Sequence, residues 1–381
     1  MKDRVEVAII GGGVVGCSIA YNLARLGVKD VAVYEKSFLA SGSTGRCGAG
    51  VRAQWGTEMN CRLALAGIRA FETLPQELDY PDIEFKQGGY LILAFTEAQM
   101  DQFRKNVALQ NSLGIPSRLV TPEEARTIVP HLDAADLLGA TFCGIDGHSN
   151  PFKVTDAYAK AARRLGVEIN DYTEVKAVSV AGGRVTGLET THGHVQCGAL
   201  VNAAGPYSQV IAAMAGLELP LYSQRHQVLV TEPVGPVQNP MVLSFTHGVY
   251  CQQVPHGSFI IGVGDPAEPT GYNIGHSWQF LADISAKVNY LLPPLGKLRV
   301  VRQWSGLYNM SPDSQPILGA AGEPANLWQA IGFSGHGFML APVVGRIIAQ
   351  MMTGQTPEID VHRLDLGRFA RGELVLEPSV V

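Results

Sequence analysis

The chain has 381 residues, 46% hydrophobic and 17% charged, which is the composition of a folded globular protein long enough for two or three domains. Lys+Arg 29 against Asp+Glu 34 leaves a net charge of −5 with no basic block, which argues against nucleic acid and anionic membrane as partners. No apolar run approaches the ~18 residues of a membrane span, and MKDRVEVAII offers no cleavable signal, so a cytoplasmic location without a direct membrane anchor is expected. Cys17, Cys47, Cys61, Cys143, Cys197 and Cys251 form no C-x-x-C pair, so no metal site is expected and reduced thiols fit a reducing compartment.

Val7 to Ile10 is a continuous apolar run, the pattern of a strand buried on both faces. Gly11-x-Gly13-x-x-Gly16 follows at once, and SIAYNLARLG continues with apolar residues at helical spacing up to Gly27. The glycines allow a tight turn, a close backbone approach to a pyrophosphate and close helix–strand packing, with the phosphates on the free N–H groups of the helix start near Val14. Val31 to Tyr34 is a second strand, and Glu35 ends it nineteen residues after Gly16, where a carboxylate accepts the hydroxyls of an adenosine ribose. The opening therefore binds an ADP-containing dinucleotide.

Residues 41 to 52 read SGSTGRCGAGVR. A nicotinamide enzyme continues here with another strand–helix unit. This segment of hydroxyls, glycines and two arginines instead suits an extended ligand laid against backbone, with Ser43, Thr44 and Arg46 reaching phosphate or flavin atoms. FAD is the expected cofactor. Further along, residues 84–96 have strand composition, and the segments from Thr96 and Thr121 open as capped surface helices. Residues 150–169 read as a helix and 172–205 as strands with glycine turns. Alternating strands fill 215–300, and 332–352 is a glycine-rich turn leading into an apolar helix.

With GGGVVG, YEK, GSTGRCGAGVR, VNAAGPYS, SPDSQPILG and GFSGHGFMLAP in place, the chain resembles the D-amino-acid oxidase/glycine oxidase/sarcosine oxidase superfamily of FAD enzymes over nearly its whole length. It is most similar to the β subunits of heteromeric L-proline dehydrogenase, through GSTGRCGAGVR, FKQGGYL, WSGLYNMSPDSQPILG and FSGHGFM, and more distantly to those of sarcosine oxidase. The resemblance implies an α/β, Rossmann-like FAD-binding domain interleaved with an α+β substrate domain on a mostly antiparallel sheet. The cofactor domain is expected at 1–80, 146–214 and 301–381, and the substrate domain at 81–145 and 215–300.

The resemblance also assigns residues. Lys36, Cys47 and Gly48 join the cofactor set; Val175 meets the adenine, and Ala204 and Gly205 pass under the pyrophosphate. Gly335, His336, Gly337, Phe338 and Met339 open a helix whose N-terminus faces the flavin pyrimidine edge. Tyr250, Tyr308, His336 and Arg302 are the candidates for the catalytic pocket. His226, His247 and His256 are read as internally satisfied histidines. Gly306 stands where monomeric sarcosine oxidase carries the cysteine that binds flavin covalently, so the FAD is expected to be non-covalent. Met339 stands where that enzyme has the lysine that speeds oxygen reduction, which favours a dehydrogenase.

The implied activity is oxidation of the Cα–N bond of a small, secondary amino acid such as L-proline or sarcosine. Electrons would pass to partner subunits of a hetero-oligomer, with an FMN held between subunits. A self-sufficient oxidase releasing peroxide, and an electron-relay subunit inactive alone, are the two alternatives left open.

Overall fold

The computed structural model describes residues 1–133 and 135–378, and its chain builds two eight-stranded sheets and a two-stranded ribbon. In the first sheet the strands run in the order Ile317–Ala320, Leu327–Ile331, Gly193–Asn202, Arg4–Ile10, Val31–Tyr34 and Glu168–Asn170. All pairings along this order are parallel except the first, between Ile317–Ala320 and Leu327–Ile331. Val175–Ala181 and Arg184–Thr190 extend it as an antiparallel meander beside Gly193–Asn202. The all-apolar burial of Val31–Tyr34 is what a parallel strand covered on both faces requires.

Four helices pack together beside this sheet. Val14–Arg25 packs against Gly337–Met352 and Pro151–Arg164, and Glu58–Glu77 packs against Gly337–Met352. The contacts are close because small residues sit at the crossings. A Cβ at Gly345 would lie 2.0 Å from Ser18 Oγ, and one at Gly67 would lie 2.6 Å from the Met339 carbonyl oxygen.

The second sheet runs Val300–Met310, Tyr222–Thr231, Phe259–Val263, Val249–Gln253, Met241–Ser244, Tyr90–Ala94, Gly139–Cys143 and Ser117–Val120. It is antiparallel except between Met241–Ser244 and Tyr90–Ala94, where the chain has left the sheet and returned. The expected hydroxyl caps are present. Thr96 accepts from the Gln99 N–H at 3.2 Å, and Thr121 with Glu124 forms a reciprocal capping box.

One expectation is corrected by the topology. Val300–Met310 pairs along its whole length with Tyr222–Thr231, so the boundary placed at 301 falls inside the second sheet. Only after Met310 does the chain rejoin the first sheet, at Ile317.

Candidate active site

A long cleft runs between the two sheets, from the ends of Arg4–Ile10 and Val31–Tyr34 to the face of the second sheet. At its first end Gly11 adopts φ 115°, and a Cβ there would stand 2.3 Å from the Ala203 carbonyl oxygen. A Cβ on Gly16 would meet the Gly11 oxygen at 2.0 Å, and one on Gly13 would meet Thr44 Oγ1 at 3.0 Å. Side chains at these positions would fill the groove that the bare backbone leaves open. The helix that starts at Val14 has Gly13 as its N-cap and no side-chain cap of its own; the Val14 N–H donates instead to Thr44 Oγ1 at 3.2 Å.

Glu35 ends its strand half-buried in the same groove. Its Oε2 accepts from the Gly12 N–H at 2.8 Å, and its Oε1 from the Ser37 N–H at 2.9 Å and Ser41 Oγ at 3.3 Å. Val175, Ala204 and Gly205 form the opposite wall. Lys36 lies with its Nζ 3.2 Å above the Tyr207 ring, which itself stacks on Tyr272 at 5.1 Å. A carboxylate at a strand end, an open helix N-terminus and a glycine cradle are the donor set an adenine dinucleotide needs, so the residues present fit FAD.

The middle of the cleft is the 41–52 segment, tied to the second sheet. Ser43 Oγ donates to the Leu307 carbonyl at 2.6 Å, and Trp304 Nε1 donates to the Arg46 carbonyl at 3.0 Å. Arg46 lines the cleft, but its Nε and Nη1 donate to the Ser41 and Ser305 carbonyls, both at 3.1 Å. The expectation that its guanidinium reaches cofactor is thus modified, because two of its nitrogens already brace the loop. Cys47 Sγ donates to the Thr44 carbonyl at 3.0 Å, and burial pushes its thiol up to about 11.

At the far end the second sheet presents one face. Gly306 is directly opposite His226 in register, Tyr308 lies two residues further along, and Tyr250 faces Gly262 one strand over. Residues opposite each other in an antiparallel pair point to the same side, and the rings duly stack. His226 lies 4.6 Å from Tyr308 and 5.6 Å from Tyr250, with interplanar angles of 3° and 8°. Glycines make the room, since a Cβ at Gly262 would be 2.3 Å from Tyr250 Cζ and one at Gly335 would be 2.8 Å from Tyr308 Cε2. Burial holds His226 neutral, lowering it from 6.5 to about 4, and its Nε2 has no hydrogen-bond partner among the described residues.

Facing this stack is the turn before Gly337–Met352. His336 is its N-cap residue, 7% exposed and lowered to about 3, first by burial and then by the nearby Arg52 cation. Trp55 meets His336 edge-on at 4.4 Å and carries the Arg52 guanidinium 3.9 Å above its own ring. Arg52 is 3% exposed, lines the cleft, and donates through Nη1 to the Gln54 carbonyl at 3.0 Å. Behind it, fully buried Asp146 accepts from the Ala53 N–H at 2.7 Å and Gln54 Nε2 at 2.8 Å, and burial raises its carboxyl to about 7.

The family model described as FAD dependent oxidoreductase, DAO, matches residues 6–351. The chain belongs to the DAO family of FAD-dependent oxidoreductases. It is 31% identical over 379 residues to the sarcosine oxidase subunit beta of Rhodobacter capsulatus, covering 97% of this chain and 90% of that protein. It is 29% identical to human mitochondrial dimethylglycine dehydrogenase, of which the match spans 45%. Among solved structures, L-proline dehydrogenase from P. horikoshii superposes with a TM-score of 0.93 at 38% identity, over 98% of this chain and 100% of that one. Glycine oxidase from Geobacillus kaustophilus gives 0.88 at 26% identity, over 96% of this chain and 99% of that one.

In this DAO-family chain nearly all the residues singled out from sequence line the one cleft, with Gly16 just beneath its floor. Gly306, Gly337, Phe338 and Met339 line it at the far end. Arg302 is the correction. It shares the face of Gly306 and Tyr308 but lies six residues before Tyr308 on the same strand, roughly 20 Å at strand rise. There the sheet has passed beyond the cofactor side of the molecule, and Arg302 is exposed and outside the cleft lining. His226 is the converse, dismissed from sequence yet central to the ring stack. Arg52 and Tyr90 also line the cleft without having been singled out for the pocket. An arginine flanked by Val51, Ala53 and Trp55 is an apolar setting that could have flagged Arg52 as buried.

Proposed function

We propose that the chain oxidises a C–N bond of a small secondary or tertiary amino acid, L-proline, sarcosine and N,N-dimethylglycine being the class, as a dehydrogenase. The observation that carries this is a buried arginine and a neutral histidine sharing one aromatic chamber at the cofactor end of the cleft. Bound FAD supplies the acceptor for the hydride leaving the substrate carbon. Gly11, Gly13, Val14, Glu35, Thr44, Ala204 and Gly205 would hold its ADP half, and Gly48, Gly306 and the 335–339 turn its isoalloxazine.

Arg52 would bind the substrate carboxylate, because its guanidinium lines the cleft stacked on Trp55, the ring that meets His336. His226 Nε2 is unpartnered and neutral, so it would accept a hydrogen bond from the substrate nitrogen and orient that nitrogen toward the cofactor. Tyr250 and Tyr308 hold that imidazole flat between them and exclude water from it. The Gly337–Met352 helix N-terminus would stabilise negative charge growing at the cofactor edge.

Relatives named as sarcosine oxidase subunit beta support a hetero-oligomer in which electrons leave through partner subunits. The family description names FAD alone, so the interface FMN implied by resemblance has no support from it. Among the described residues no helix is long and apolar enough to cross a membrane, and all six cysteines are free thiols. A cytoplasmic location is part of the same proposal. The test is a dye-linked screen of the purified chain over sarcosine, N,N-dimethylglycine, L-proline and glycine, with peroxide measured in parallel. Dye reduction by a secondary or tertiary amino acid without matching peroxide is expected. Stoichiometric peroxide makes the chain an oxidase, and no turnover until partner subunits are added makes it a relay subunit.

A further inference from the structure

The Glu58–Glu77 helix begins two residues after Gly56, yet its N-cap residue Thr57 makes no side-chain cap bond. The hydroxyl of Thr57 is turned outward and donates to Glu377 Oε2 at 2.8 Å. The same carboxylate accepts from the Gly56 N–H at 2.7 Å and from Asn60 Nδ2 at 2.8 Å. A residue more than three hundred positions away in sequence therefore ties the turn that leads into this helix to the Asn60 side chain in its first turn, and adds a negative charge at that N-terminus. Pro378 closes over the same turn, since a Cβ on Gly56 would come within 2.3 Å of its Cγ.

The segment bearing Glu377 is itself fixed. Arg368 and Asp313, both fully buried, pair through two bonds of 2.9 Å, and Asp313 Oδ2 also accepts from the Val375 N–H at 3.1 Å. The aspartate of SPDSQPILG thus pins the chain two residues before Glu377. On the other side of the turn, Gly56 adjoins Trp55, whose Nε1 donates to the Arg52 carbonyl at 3.1 Å. Trp55 is the ring that touches both Arg52 and His336.

We propose that Glu377 is a positioning residue for the substrate chamber, fixing Trp55 through the Gly56–Thr57 turn and so setting Arg52 and His336 against the ring stack. The proposal rests on Arg52 as the carboxylate site. The carboxylate of Glu377 also acts on Arg52 through space, favouring its charged form against the burial that opposes it.

The experiment compares the FAD-loaded wild-type chain with Glu377→Ala and Glu377→Gln, the second keeping the side chain's shape where the first disturbs folding. Acetate binding is followed by perturbation of the flavin visible spectrum, and amide exchange is followed over 52–60. Glu377→Ala should raise the acetate Kd and the amino-acid KM by about five- to tenfold, the factor a lost charged acceptor at a helix N-terminus is worth. kcat should change by less than about twofold, since no group meeting the reacting atoms is removed. Exchange over 52–60 should quicken, and Glu377→Gln should fall between the two chains on every readout.

An acetate Kd unchanged in both variants, with faster exchange, makes the contact a local tie only and overturns the proposal. Unchanged exchange, or a wild-type chain that binds no acetate, overturns it as well. Failure of the amino-acid reading shows separately, as a wild-type chain that oxidises none of the four amino acids while binding acetate.

Discussion

At the scale of single residues, the cleft divides its charges by what already holds them. Glu35 accepts three local bonds while facing the groove, so it shapes the glycine turn as well as offering an acceptor to a ribose. Glu35→Ala should weaken FAD retention by roughly 1.5–3 kcal/mol, the worth of hydrogen bonds to a charged group. Flavin per chain after gel filtration checks this, and full occupancy on dilution would remove Glu35 from the site. Arg52→Lys keeps the charge but loses the planar fork and the stacking on Trp55. Its amino-acid KM should rise by about tenfold or more while FAD content stays level. A wild-type KM would show that the carboxylate binds elsewhere.

At the scale of elements, the site depends on how closely three helices approach. Gly345 lets Gly337–Met352 lie directly on Val14–Arg25, and both helices present their N-termini to the cleft. Gly345→Ala places a methyl where Ser18 Oγ now lies, so the helices must separate or Ser18 must turn. Overpacking of this kind costs about 1–3 kcal/mol. A melting temperature lowered by several degrees, with weaker FAD binding, is the expected result, read by thermal unfolding and flavin release. An unchanged pair of values would mean that the helix crossing is slack. The second sheet works differently. Its pocket face is legible as alternation along each strand, but Arg302 shows that alternation alone does not say where along a strand the cover ends.

At the scale of the whole molecule, burial of titratable groups sets a pH response. His148, His226 and His336 are lowered from 6.5 to about 4, about 4 and about 3, each chiefly by burial. The unfolded chain takes up their protons first, so the stability they contribute is complete above pH 6.5 and is lost as pH falls toward 3. Asp146 runs the other way. Its folded carboxyl is raised from 3.8 to about 7, so its contribution is complete below 3.8 and gone above 7. Three protons gained on unfolding against one lost leaves a net uptake of two, worth at most about 2.7 kcal/mol per pH unit. The melting temperature should therefore climb between pH 4 and 6.5, and Asp146→Asn should steepen that climb. A flat profile across this window would mean that these histidines are protonated in the folded chain.

The sequence by itself determined the dinucleotide end of this protein and its helix caps. Strand, glycine turn, helix and Glu35 lie within one contiguous stretch of thirty-five residues, and Thr96 and Thr121 cap helices three residues away. Such features are written in nearest-neighbour geometry, so spacing alone reveals them. The chamber was decided by tertiary structure. Arg52, Tyr90, His226, Tyr250, Tyr308 and His336 come from six separate elements or turns, and what makes His226 a neutral, unpartnered ring is the pair of tyrosines from other strands. The placement of Val300–Met310 in the second sheet, the exposure of Arg302 and the tie from Glu377 to the start of Glu58–Glu77 depend equally on partners distant in sequence. A strand's alternation fixes which residues share a face, but only the packing of the two sheets fixes which part of that face is covered, desolvated and charged.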